Sequence, residues 1–293
     1  MQTLFRWLAR MPLRQIHLIG GVIGWLAFWL SSSYRRRVVA NAAQAGVARE
    51  LWRASIAEAG RMAAELPYLW LRPPHQPIDP PPRWDGAEHL EHGIARGHGL
   101  VLMTPHIGCF EVIAQAYAER FGARSPMTAM YRPPRHESLR KIVETARARP
   151  GLLTAPASLG GVRQMIRALR RGETVGLLPD QVPPEGLGIW APFFGRDAYT
   201  MTLAARLVEQ TGATPLLLVG ERLARAAGFC IHVMPMPEPL PADGAGDAEH
   251  QRACAGVINR AMEHVIARWP GQYVWGYDRY KAPRSGAGAQ PLA

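Results

Sequence analysis

The sequence predicts an α/β protein, a mostly parallel central sheet flanked by helices, with an N-terminal hydrophobic membrane-anchoring helix. Three observations predict it. Short apolar runs alternate with amphipathic stretches through most of the chain, an uncharged apolar run stands near the start, and a proline cluster separates the two regions. Strands that alternate with helices bury both faces of a parallel sheet.

The apolar run covers residues 16–30 (IHLIGGVIGWLAFWL), between Arg6, Arg10 and Arg14 on one side and Arg35, Arg36 and Arg37 on the other. As a helix it extends roughly 22 Å, short of a hydrocarbon core of about 30 Å. Trp25 and Trp29 suit the headgroup level, so an anchor that spans the bilayer or lies in its interface is expected. A cleaved signal peptide fits less well, because SSSYRRR follows in place of a small-x-small cleavage site. A buried core helix stays open. Arginines on both sides leave the orientation undecided.

Residues 36–71 read as helical, with Leu51, Ile56, Met62 and Leu66 spaced amid alanine and charge. RPPHQPIDPPPR (72–83) then ends any helix or central strand, since proline removes a donor and fixes φ. This divides the chain into an anchor (1–35), N-terminal helices with a proline-rich linker (36–83), an α/β domain (84–281) and a disordered tail (282–293). Within the domain, GLVLM, PMTAMY, GLLTA, TVGLLP, TPLLLVG and FCIHVMP read as strands. Residues 111–121, 137–149, 161–170, 203–210 and 248–269 read as helices.

The chain has 293 residues and is 48% apolar, enough for a full core without disulfides. Its three scattered cysteines suit a reducing compartment. A formal charge of +11, carried by arginine with lysine almost absent, attracts nucleic acid, anionic lipid, phosphorylated substrates or an acidic protein. An arginine-rich composition alone gives the same excess, so charge selects no partner. No nucleic-acid-binding motif is present and aromatics are not interleaved with the basic runs, so no nucleic acid partner is expected.

TPHIGCFEV (104–112) sits where the GLVLM strand meets the next helix, at a strand end where open α/β sheets bind ligands. His106 falls in the turn and Glu111 in the first turns of the helix. A carboxylate reaching back to the imidazole N–H fixes its tautomer, and the other nitrogen can then take a proton from a hydroxyl attacking a carbonyl. Spacing alone favours a loop histidine bonded to backbone and a solvated helix glutamate. Cys109 beside His106 admits a Cys–His nucleophile. His89 and His92 share a helix face but lack a third ligand, so no metal is expected. Gly160 and Gly161 open a helix without a P-loop lysine and read as an ordinary helix start.

The order TPHIGCFEV, YRPP, ARAR, GLLPDQ, APFFGRDAYT and TGATPLLL resembles the lipid A biosynthesis (lauroyl/myristoyl) acyltransferases, within the lysophospholipid acyltransferase superfamily. The resemblance covers nearly the whole chain. It implies an enzyme at the cytoplasmic face of the inner membrane. Such an enzyme moves a fatty acyl chain from acyl carrier protein onto a 3-hydroxyacyl group of a phosphorylated lipid A precursor, with acyl carrier protein as co-substrate and no other cofactor. His106 and Glu111 match the family's His-x4-acid pair. Arg147 lies where the family has an arginine needed for activity, with Arg149 its neighbour, and Asp180 matches a further acid. The arginines suit a lipid phosphate through paired planar donors, with Arg132 a weaker candidate, and Asp180 suits orienting those arginines or lying near the acceptor. IWAPFFG (189–195) suits either acyl-chain contact or core packing. Cys109 and Phe110 depart from the Asn and Trp common in the family. Acyltransferases of another membrane lipid (a lysophospholipid, glycolipid or aminolipid), with acyl-CoA as donor, share the dyad; the other alternative, a non-catalytic basic membrane-surface protein, has no need of that base.

Overall fold

The computed structural model describes residues 2–131, 149–242 and 247–284. Residues 137–148 of the expected helix, Arg132, Arg147 and most of the expected tail lie outside the described residues.

The N-terminal part is helical: α1 (Gln2–Leu8), α2 (Leu13–Leu30), α3 (Ser32–Gln44) and α4 (Arg49–Trp70). The rest alternates as the sequence predicts: β1 (Arg83–Asp85), α5 (Ala87–Arg96), β2 (Leu100–Met103), α6 (Phe110–Phe121), β3 (Met127–Tyr131) and β4 (Leu152–Pro156). Then come α7 (Leu159–Arg170), β5 (Thr174–Leu177), β6 (Gly188–Phe193), β7 (Arg196–Met201), α8 (Leu203–Thr211), β8 (Thr214–Arg222), β9 (Phe229–Pro235) and α9 (Ala248–Arg268).

Seven strands form the central sheet in the order β1-β9-β8-β2-β5-β3-β4. From β8 to β4 every pairing is parallel, and β9 runs antiparallel to β8 at the other side. Every residue of β2 is buried, as a central parallel strand requires. The two-residue alternation of side chains then divides the core into two layers. Val101 and Met103 join Phe28, Val38, Ile56 and the buried face of α9 on one side. Leu100 and Leu102 join Leu90, Val112, Tyr117 and Leu69 on the other. The N-terminal helices therefore share the domain's core. The proline-rich segment is pinned to it as well, through buried Ile78, whose N–H reaches Glu119.

IWAPFFG belongs to a separate two-stranded hairpin, β6–β7. Phe194 and Gly195 both adopt positive φ at its two-residue turn, the backbone such tight hairpins need. Phe193 is buried against Tyr280 and Arg279, so this segment packs the core.

α2 crosses α4 with backbones nearly touching. A Cβ on Gly60 would lie 2.0 Å from the Gly20 carbonyl, and one on Gly24 would lie 2.1 Å from that of Ile56. Beneath this seam, Arg222 at the end of β8 holds the Glu65 carboxylate with two 2.6 Å bonds and also pairs with Glu58. His17 of α2 meets the same Glu65 at 2.6 Å. Burial alone would push the Glu65 carboxyl up, but the Arg222 guanidinium outweighs it and holds the group down at about 2.

Candidate active site

The central strands β8, β2 and β5 deliver three loops to one end of the sheet. The β2–α6 turn is held from both sides. Gly108, at φ +55°, passes so close to β8 that a Cβ would sit 2.1 Å from the Gly220 carbonyl. Cys109 N–H donates to that same carbonyl at 2.8 Å. On the other side, Gly108 N–H donates to the Gln272 carbonyl and Val274 N–H donates to that of His106. Arg222 also donates to the Gly108 carbonyl, which ties the ion cluster under α2 to the back of this turn. His106 is thus presented by a loop that is hydrogen-bonded on both sides.

The acid on His106 is Asp180, from the loop after β5. Its Oδ1 lies 2.7 Å from His106 Nδ1 and its Oδ2 accepts the His106 backbone N–H at 2.9 Å. An ionised carboxylate only accepts, so Nδ1 carries the proton, and in the neutral ring Nε2 presents its lone pair. The Gln181 amide occupies that lone pair at 3.1 Å. Burial pushes the Asp180 carboxyl up, yet its bonds to His106 and the charges of His106 and Arg279 leave it below its ordinary value. Tyr273 lies beside it, a phenol kept neutral first by burial and then by the Asp180 charge.

Glu111 does not take the place expected of it. Both imidazole nitrogens face other groups, and the Glu111 carboxylate accepts from Trp70 Nε1 at 3.2 Å. It is buried in the wall of an apolar cleft with Leu102, Phe110, Met127, Met130 and Leu177, a space of about 640 Å³ including its open mouth. Phe110 is shared between the two features: its ring packs edge-on against His106 with centroids 4.9 Å apart.

Arg149 also departs from expectation. Its guanidinium is buried and donates to the carbonyls of Leu69, Arg72 and Pro73, so it caps the C-terminal end of α4 and does not offer its fork outward. Burial, then the neighbouring Arg72, lowers it to about 10. Cys109 is buried and its thiol is pushed far up by desolvation and by Glu65, the opposite of an activated nucleophile. The resemblance points to Asp180 as an acid that orients the arginines or lies near the acceptor, not as the partner of His106, and Gln181, Trp70 and Tyr273 carry no sequence signal.

Fold and site together define an α/β protein with a histidine–acid pair at the carboxyl ends of its central strands and a hydrocarbon-lined cleft beside it. The chain belongs to the bacterial lipid A biosynthesis acyltransferase family, whose profile matches residues 2–282. It is 26% identical over 200 residues to the lipid A biosynthesis palmitoleoyltransferase of Escherichia coli K12, covering 67% of this chain and 60% of that protein. It is 27% identical over 208 residues to the lauroyltransferase of the same organism, covering 70% and 64%. A Haemophilus influenzae lipid A biosynthesis acyltransferase is 25% identical over 193 residues, covering 65% and 56%. The chain thus spans about three fifths of the length of these relatives.

Proposed function

We propose that this chain transfers a fatty acyl group from the thioester of acyl carrier protein to a hydroxyl of a phosphorylated lipid A precursor, in one step on a ternary complex. The observation that carries this reading is the double grip of Asp180 on His106 beside the apolar cleft. The acceptor hydroxyl displaces the Gln181 amide from Nε2. As its oxygen attacks the thioester carbonyl, its proton passes to His106. The C–S bond then breaks, and the imidazolium returns the proton to the departing thiolate. Asp180 keeps the ring in the required tautomer and stabilises the transient imidazolium. The released Gln181 amide is within reach to donate to the developing oxyanion. The cleft takes the hydrocarbon chain, with Glu111 and Trp70 as its polar wall. Arg132 and Arg147 are the proposed partners of the acceptor's phosphate, and the basic surface suits an acidic carrier protein.

Attachment to the membrane follows from α2. Among the described residues it is the helix long and apolar enough to cross a bilayer. Its outer face exposes Leu18, Val22, Ile23, Leu26, Trp29 and Leu30, flanked by exposed Arg10, Arg14, Arg35 and Arg36. Its inner face is committed to α4, which carries Glu58, Arg61 and Glu65 along the seam. Crossing the bilayer would drag those charges into hydrocarbon, so α2 lies in the interface with its outer face in the lipid. The cytoplasmic face of the inner membrane, where acyl carrier protein is found, is the matching location.

The test is mass spectrometry of lipids from cells with and without the chain, and with its His106→Ala variant. A gain of one acyl unit on lipid A, lost in the variant, is expected. Unchanged lipid A with a gain on another lipid would move the acceptor to that lipid. No change in any lipid would overturn the reading.

A further inference from the structure

Away from the His106 cleft, three unlike donors converge between two helices. Glu209 sits in the last turns of α8, and His250 and Cys254 lie four residues apart on α9, so both point from one helix face. His250 Nε2 is 2.7 Å from Glu209 Oε1, Cys254 Sγ is 3.3 Å from that oxygen, and Cys254 Sγ is 3.5 Å from His250 Nε2. His250 and Cys254 are buried, whereas Glu209 is exposed and leaves a route from solvent. All three ligand atoms lie within 4.8 Å of one another.

We infer that Glu209, His250 and Cys254 form a binding site for a zinc-like divalent ion that clips α8 to α9. Zinc bonds of about 2.0–2.3 Å at tetrahedral angles put neighbouring ligand atoms roughly 3.3–3.6 Å apart. The two distances from Cys254 already match those edges, and only the His250–Glu209 edge must open, by about half an ångström. Glu209 is the exposed member, so that movement is local. The i, i+4 pair on a helix is a spacing used to chelate zinc. Thiolate, imidazole and carboxylate favour zinc over magnesium or calcium, which take oxygen ligands. Two anionic ligands and one neutral one balance a divalent charge. On binding, the Cys254 thiol loses its proton to solvent, and the imidazole carries its remaining proton on Nδ1. Water fills the fourth position. As a hydrogen-bonded trio alone, the cluster would staple the helices and take up no metal.

The experiment uses the tag-free full chain, stripped with a chelator and titrated with zinc and, separately, cobalt(II). One equivalent of zinc is expected, with a raised melting temperature. Cobalt is expected to show visible bands of a tetrahedral site and a near-ultraviolet thiolate charge-transfer band. Cys254→Ser should lose the charge-transfer band, and Glu209→Gln, whose position is exposed, should keep the fold and bind at least about tenfold more weakly. Cys230→Ser should leave both unchanged. Absence of stoichiometric uptake by the parent chain, or a charge-transfer band that survives Cys254→Ser, would overturn the assignment.

Discussion

One carboxylate holds His106 at two points: Asp180 meets the ring Nδ1 at 2.7 Å and the backbone N–H at 2.9 Å. A single group thereby fixes where the residue sits and which nitrogen carries the proton. The two residues are 74 apart in sequence, yet their strands, β2 and β5, are direct neighbours, with Met103 paired to Leu177. That pairing brings the two loops together.

Asp180→Asn should therefore lower the turnover rate by roughly 10² to 10⁴ while leaving the chain folded, because an amide can donate and so permits the wrong tautomer. Glu111→Gln, which keeps an acceptor for Trp70 Nε1, should lose much less. The measurement is kcat for both variants with an acyl carrier protein thioester, alongside circular dichroism. A larger loss in the Glu111 variant than in the Asp180 variant would return the orienting role to Glu111.

Cys109→Ala should leave turnover close to that of the parent. The thiol is buried and held protonated, first by desolvation and then by Glu65, and the His106 nitrogens are engaged elsewhere. Loss of turnover, together with loss of an acyl-enzyme visible by intact mass, would instead identify Cys109 as a nucleophile.

The apolar runs around Leu102 and Leu216 disclose strands because buried parallel strands admit little else, and FCIHVMP discloses one by alternating buried and half-buried residues. The His106 turn is legible because a strand end followed by a glycine and a helix is a local pattern. β1 was missed: three residues, two of them exposed, carry no periodicity. The hairpin was missed as well, since Pro192 sits inside one of its strands. The partner of His106 was out of reach, because strand order decides which loops meet and spacing within TPHIGCFEV cannot. Arg149 reads as a phosphate ligand until the end of α4 is found beneath it, and the Glu209, His250 and Cys254 trio exists only once α8 and α9 pack.

Gly60→Ala should destabilise the fold by about 1–3 kcal/mol, since the new methyl would meet the Gly20 carbonyl at 2.0 Å and the Gly24 nitrogen at 2.4 Å. Gly160→Ala is the control. Its nearest neighbour would be Ser158 Oγ at 3.8 Å, so it should be neutral or stabilise by up to about 1 kcal/mol. Denaturant unfolding checks both. If α2 is held to the body through this seam, the Gly60 variant should also bind anionic vesicles with a changed salt dependence. Equal stabilities for the two variants would show that the seam can part without cost.

Glu65 sets the acid limb of stability. Its carboxyl is held at about 2 in the folded chain against an ordinary 4.5, so its contribution is complete above pH 4.5 and is lost as pH falls toward 2. The groups around it are Arg222, Glu58, His17 and Cys109, so removing its charge leaves the Arg222 guanidinium buried with Glu58 as its remaining anion. Glu65→Gln should thus cost about 3–5 kcal/mol at neutral pH, the usual range for breaking a buried pair. It should also flatten the fall in stability between pH 4.5 and 2. Urea unfolding followed from pH 7 down to the acid range measures both effects. Curves that stay parallel through that window would mean that the Glu65 charge is not what the fold loses in acid.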